Sequence, residues 1–171
     1  MADSIIVADY DSCWLERFQF LRRRIAETCG SMVVAIEHVG STAVPNLAAK
    51  PIIYIDVLLA TAIEIPAAID CLAKLGYVHQ GNLGIPGREA FLAPVQDVPH
   101  HLYVCPPGSK AFQEHLVFRD YLLSHSQEAE EYANLKRALA VKFPNGRSAY
   151  VSGKSAFFVK MLSCAVTAPA V

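Results

Sequence analysis

The chain has 171 residues, 53% of them hydrophobic and 18% charged, enough to bury one core and too apolar for a disordered chain. A formal net charge of −1 gives no global attraction to nucleic acid or to an anionic membrane, so any polyanion must be met by a local group of cations. The five cysteines, Cys13, Cys29, Cys71, Cys105 and Cys164, are odd in number and form no Cys-x-x-Cys pair, which fits reduced thiols in a cytoplasmic protein better than a disulfide or zinc framework.

The opening segment MADSIIVADYDSCW has early acids, no basic n-region and a short apolar run, so a secretory signal is not expected there. No apolar stretch reaches the length that spans a bilayer. Residues 5–8 suit a short extended piece. Asp11 or Ser12 can cap a helix in which Trp14, Phe18, Leu21 and Ile25 recur at helical spacing and which Gly30 closes. Arg22, Arg23 and Arg24 read as a solvated face of that helix, with cations near its C-terminus, rather than as a nucleic-acid contact. The β-branched stretches 32–39 and 52–59 are expected strands, joined by the loop GSTAVPNLAAKP.

A helix over 65–75 ends at Gly76. GNLGIPGRE, residues 81–89, has a glycine every third residue, which is not the dinucleotide-binding spacing; it reads as a loop into a strand over 89–95. HHLYVC, residues 100–105, alternates like a strand and is stopped by Pro106-Pro107-Gly108. Helices follow over 110–124 and 128–142, the second with acids in its first turn and bases in its last. Asn145-Gly146 breaks the chain before a final helix over 148–166, and residues 166–171 are expected to fray. The sum is a single α+β domain over 1–171, a mixed β-sheet of four or five strands flanked by helices.

Positions two apart on a strand share a face, so Tyr54 and Asp56 point the same way, as do His101 and Tyr103. Gly40 permits a turn, and Ser41 and Thr42 add hydroxyls and backbone N–H groups, which together make an anion cradle; the same composition also suits an ordinary loop. Lys50 can add a point charge for a phosphate or carboxylate. Asp56 lies between Ile55 and Val57, where an acid costs free energy unless it is paired or coordinated. It reads either as a buried ion pair with Lys50 or an arginine, or as a metal ligand. His38 and His101, each taken singly, suit core or hydrogen-bonding roles; together they favour a site. Cys105 and His101 share a strand face but lie more than about 10 Å apart, too far for direct activation of the thiol.

The segments HVGSTAVPNLAAKPIIYIDV, GREAF, HHLYV, FRDYLLSH, EYANLKRALAVKF and AYVSGKSAFF resemble, in order and spacing, the GrpB family of nucleotidyltransferase-fold proteins, over residues 6–158. The resemblance implies the minimal nucleotidyltransferase-like fold. It also implies a Gly-Ser turn that grips a triphosphate and an Asp-x-Asp strand that holds Mg²⁺, because two hard oxygen ligands on one face can hold ions that bridge the phosphates. Gly40 and Ser41 match the turn and Asp56 matches the second acid, making it the tentative Mg²⁺ ligand. Tyr54 stands where the family pattern has Asp, and Tyr103 where it has the second His of His-x-His. A phenol stays protonated until about pH 10, so Mg²⁺ binding is expected to be weakened.

The rest of the implied site lining is present: His38, Ser41, Lys50, Arg88, His101, Arg119, Lys136 and Lys154. Two phenols in place of an acid and an imidazole make the pocket less anionic and more aromatic. Three readings follow. In nucleotidyl transfer from an NTP to a small-molecule acceptor, Asp56 and His101 serve the metal, Ser41 and Lys50 the phosphates, and Arg88 or Arg119 the developing charge. In a repurposed small-molecule enzyme without NTP, His38 or His101 moves the proton and Tyr54 or Tyr103 donates a hydrogen bond. In a non-catalytic module the same cleft binds a nucleotide or other ligand. The expected partner is a small molecule or nucleotide, with no membrane and no nucleic acid.

Overall fold

The computed structural model describes residues 4–167. The extended start is tied down by Ala8, which exchanges backbone hydrogen bonds with Ala49 at 2.9 Å in each direction. Asp11, not Ser12, caps α1 (Cys13–Cys29): its Oδ1 accepts the Cys13 N–H at 2.9 Å. One stripe of α1 buries Trp14, Phe18, Leu21 and Ile25, as the helical spacing requires.

Five strands form one sheet: β1 (Val33–Val39), β2 (Ile53–Leu59), β3 (Val78–His79), β4 (Glu89–Leu92) and β5 (His100–Cys105). Their spatial order is β1-β2-β5-β4-β3, with β2 and β5 parallel and the other neighbours antiparallel. β4 stops at Leu92 instead of reaching 95, as suits a strand approaching Pro94, which has no N–H to give the ladder. The two-residue β3 carries no sequence signal of its own. Of the helices, α2 (Ile65–Ala73) ends in a turn that closes at Gly76, and α3 (Lys110–Ser124) is capped by Ser109 Oγ, which accepts the Phe112 N–H at 3.2 Å. α4 (Ser126–Lys142) and α5 (Arg147–Thr167) complete the chain. Val166 is still helical, and the rest of the expected frayed tail, 168–171, lies outside the described residues.

Ile53, Ile55, Val57 and Leu59 of β2 face α1 and α2, together with Leu102 and Val104 of β5. Burying each such side chain is worth roughly 1.5–3 kcal/mol. The other sheet face carries Tyr54, Asp56, His101 and Tyr103 and is covered on the α3 side by His115. A second core joins Val44, Leu47 and Ala48 of the loop after β1 to Phe118 and Leu122 of α3, Tyr132 and Ala133 of α4, and Met161 of α5. The loop 40–50 is therefore wedged between the sheet and three helices, which fixes where its Gly-Ser turn points.

Candidate functional site

Strand register sets two rows on the sheet face opposite α1 and α2. Glu37, Asp56 and Tyr103 are cross-strand neighbours, and so are Val39, Tyr54 and His101. Between the second row and the helices lies a cleft of about 190 Å³. It is lined by Gly40, Ser41, Thr42, Lys50 and Tyr54 from the sheet side, by His115 and Phe118 of α3, by Tyr132 and Lys136 of α4, and by Tyr150, Lys154 and Phe158 of α5. Gly40 has φ 73° and ψ −170°, a backbone state open essentially to glycine alone. An added Cβ would meet Tyr54 Cγ at 3.4 Å.

Three lysines converge here. Lys136 is buried and donates from Nζ to Ser41 Oγ at 2.8 Å and to the Ala48 carbonyl. Its ammonium lies 4.5 Å from the centre of the Tyr132 ring, Lys154 lies 4.5 Å from that of Tyr150, and Lys50 approaches the same ring at 5.9 Å. Tyr132 with Lys136, and Tyr150 with Lys154, are i, i+4 pairs on their helices, so each cation and its aromatic neighbour share a face.

Among the described residues no carboxylate forms an ion pair with any of the three. Burial, with Lys154 and Arg137 adding repulsion, pulls Lys136 down to about 7. Burial and Lys50 pull Lys154 down to about 8. Lys50 is lowered as well, by burial and then Arg147. The phenols go the other way: burial pushes Tyr54 and Tyr150 up to about 12, and raises Tyr132. At neutral pH the cleft thus offers phenol donors and ammonium groups whose charge is held back by desolvation. An anion would stabilise that charge.

Asp56 has no exposed surface. Its partner is neither Lys50 nor an arginine, as the sequence suggested, but His115: Oδ2 lies 2.7 Å from His115 Nδ1. The other oxygen, Oδ1, is enclosed and has no hydrogen-bond partner among the described residues. Tyr103 lies beneath Arg88, whose guanidinium is 4.1 Å from the ring centre. Arg119 is spent on structure, donating to Glu37 Oε2 and Asp120 Oδ1, each at 2.7 Å, and to the His38 carbonyl at 3.1 Å. It clamps α3 to β1 and does not line the cleft.

His101 packs on Tyr54 with ring centres 4.8 Å apart and faces a separate depression shared with Tyr103 and Arg147. Burial, then Arg147 and Lys50, press its imidazole down to about 4. His38 does not belong with these residues. It pairs in register with Ile55, stacks on Phe18 at 4.6 Å on the opposite sheet face, and hydrogen-bonds Thr42 Oγ1 at 2.9 Å. It is buried there with its hydrogen bond made, which is a role in the core, and burial pulls its imidazole down to about 4. The signal was available in the strand itself, since His38 shares parity with buried Ile36.

The donor set does not fit Mg²⁺, which demands near-octahedral oxygen ligation. One carboxylate is present where two were implied, one of its oxygens is taken by His115, and the adjacent phenol Tyr54 is held protonated by burial. Among the described residues no group of three or more His, Cys, Asp or Glu side chains could hold a metal ion.

Sequence reasoning missed His115, Tyr132 and Tyr150. His115 sits in the inward stripe of α3 with Phe112, Phe118 and Leu122, a spacing that marks it as facing the sheet. The two tyrosines sit one turn before the expected Lys136 and Lys154.

The family model described as GrpB protein matches residues 4–163. The UPF0157 protein YqkA of Bacillus subtilis is 40% identical over 147 residues, which cover 85% of this chain and 42% of that protein. The chain thus spans less than half the length of that relative. The crystal structure of conserved protein GrpB from Enterococcus faecalis superposes with a TM-score of 0.85 at 31% identity, covering 94% of this chain and 97% of that one. A chain of the GLD-2/RNP-8 complex matches with a TM-score of 0.53 at 15% identity, covering 88% of this chain and 60% of that one. That likeness concerns the fold alone.

Proposed function

Because the chain belongs to the GrpB family, we propose that its cleft binds the phosphate groups of a nucleotide or a similarly phosphorylated small molecule, and that it transfers a phosphate-linked group without the paired-carboxylate Mg²⁺ site of the nucleotidyltransferase pattern. The observation that carries this reading is the convergence of Lys50, Lys136 and Lys154, none paired with a carboxylate among the described residues, around the Gly40-Ser41 turn. Anions are the ligands that a group of desolvated cations recognises, and the turn adds a hydroxyl and backbone N–H groups to the same side. The ring faces of Tyr54, Tyr132 and Tyr150 supply the apolar share of the lining, which suits a base or another flat group attached to the phosphates.

Nucleotidyl transfer from an NTP to a small-molecule acceptor is the specific reaction the fold kinship suggests. The substitution of Tyr54 for the first acid moves the work of charge neutralisation from metal ions to lysines. Titration of the protein with ATP, ADP and inorganic pyrophosphate in EDTA tests the reading. Binding is expected, with Lys136→Met and Lys154→Met each weakening it at least 10-fold, or about 1.4 kcal/mol. Failure of all three phosphorylated probes to bind would end it.

A further inference from the structure

The Asp56–His115 pair has the geometry of an oriented acid–base group. Asp56 is fully buried, its position set by the strands on either side, and among the described residues its side chain has one hydrogen bond, Oδ2 to His115 Nδ1 at 2.7 Å, with Oδ1 enclosed and unpartnered. A carboxylate accepts, so Nδ1 is the donor of this bond, and in the neutral tautomer that makes it, Nε2 holds the lone pair. His115 is partly exposed and lines the same cleft as Ser41 and Lys154, and no protein group among the described residues takes Nε2.

We propose that His115 is the proton-transfer residue of the cleft and that Asp56 is its positioning residue. The acid the resemblance would place on a metal here fixes the tautomer and orientation of an imidazole. This inference rests on the phosphate-binding reading above. With a phosphate group held by Ser41 and the lysines, an acceptor hydroxyl or water attacks phosphorus. Its oxygen lone pair forms the new P–O bond and its proton passes to His115 Nε2. The bond from phosphorus to the leaving oxygen breaks with its electron pair on that oxygen, and the imidazolium then returns the proton to the leaving oxygen or to solvent. Asp56 keeps accepting the Nδ1 hydrogen bond and stabilises the imidazolium as it forms.

The test uses the p-nitrophenyl ester of thymidine 5′-monophosphate in EDTA, with water as acceptor and nitrophenolate as the leaving group, alongside ATP titration. His115→Asn keeps an amide donor for Asp56 but removes the nitrogen that takes the proton. It is expected to lower kcat at least 100-fold while KM and ATP affinity stay within about 3-fold. Asp56→Asn is expected to lower kcat at least 10-fold and, by ¹⁵N NMR of the ring, to shift His115 from the Nδ1–H tautomer toward Nε2–H, a change that loss of packing alone would not produce. Unchanged turnover in His115→Asn, an Nε2–H tautomer in the wild type, or a wild type that binds ATP yet releases no nitrophenolate would overturn the proposal. A wild type that binds neither probe would instead remove the phosphate reading and this inference with it, so the two failures are distinguishable.

Discussion

Asp56 and His115, 59 residues apart in sequence, meet at 2.7 Å with the carboxylate fully buried and the imidazole at the wall of the cleft. The pair ties β2 to α3 and so couples the sheet to the helical layer. Removing only the imidazole leaves an acid in the interior without its partner. His115→Ala is therefore expected to destabilise the fold by about 3 kcal/mol, whereas the double replacement Asp56→Leu, His115→Leu should recover most of that loss, since an apolar pair leaves no charge to compensate. Urea unfolding of the two variants and the wild type measures this. A double variant no more stable than His115→Ala would show that the pair is not the source of the cost.

The lysines give the stability a pH dependence of known sign. Lys136 falls to about 7 and Lys154 to about 8 in the folded protein, against about 10.4 in an unfolded chain. Between those values the unfolded chain holds more protons, so these groups make the fold more stable as pH rises through that window, and they weigh against it fully below about pH 7. Lys136→Met should accordingly be more stable than the wild type at pH 7, with an advantage that shrinks toward pH 10. Thermal unfolding of both proteins across that range decides it, and an advantage that grows with pH would contradict the sign.

The proposed anion binding is expected to run with the opposite slope, because it needs the charged form. ATP affinity is expected to fall at least 10-fold between pH 7 and pH 9.5, and binding at pH 8 should take up protons. Calorimetry in two buffers of different ionisation enthalpy reads that uptake directly. Binding without any proton uptake would mean that Lys136 and Lys154 are already fully charged before the ligand arrives.

Most of the fold was legible in the sequence because its signals are local. Trp14, Phe18, Leu21 and Ile25 announce α1 by spacing alone, and β2 is an apolar run because both of its faces are covered. The family resemblance implies Lys136 and Lys154, turn chemistry implies Gly40 and Ser41, and the structure brings all four to one cleft. The Asp56–His115 contact was not legible, since it depends on how α3 packs across β2, and a single histidine in an apolar helix stripe does not name its partner. His38 was misplaced for a different reason: its motif neighbours Gly40 and Ser41 drew it toward the site, while its strand parity with Ile36 sends it into the core.

Gly40 holds the turn in a conformation that L residues rarely adopt. Gly40→Ala is expected to cost about 1–3 kcal/mol and, by pressing on Tyr54 and moving Ser41, to weaken ATP binding about 10-fold (about 1.4 kcal/mol). Binding unaffected by this substitution would detach the turn from the ligand.

Tyr54→Asp places a second carboxylate on the strand face of Asp56 and removes a buried ring. The variant is expected to be less stable than the wild type by about 3 kcal/mol, from lost packing and a newly buried charge. It should also be stabilised by Mg²⁺, seen as a rise in Tm. The wild type should show no such rise. A wild type whose Tm climbs equally with Mg²⁺ would mean that Tyr54 does not govern metal binding.

The most direct test is a calorimetric titration of the wild-type protein with ATP, first in EDTA and then with excess Mg²⁺. Lysine-held phosphates predict binding in EDTA, with an affinity that Mg²⁺ leaves unchanged or lowers by competing for the phosphate oxygens. Binding that occurs only when Mg²⁺ is present would contradict it and return Asp56 to the role of a metal ligand.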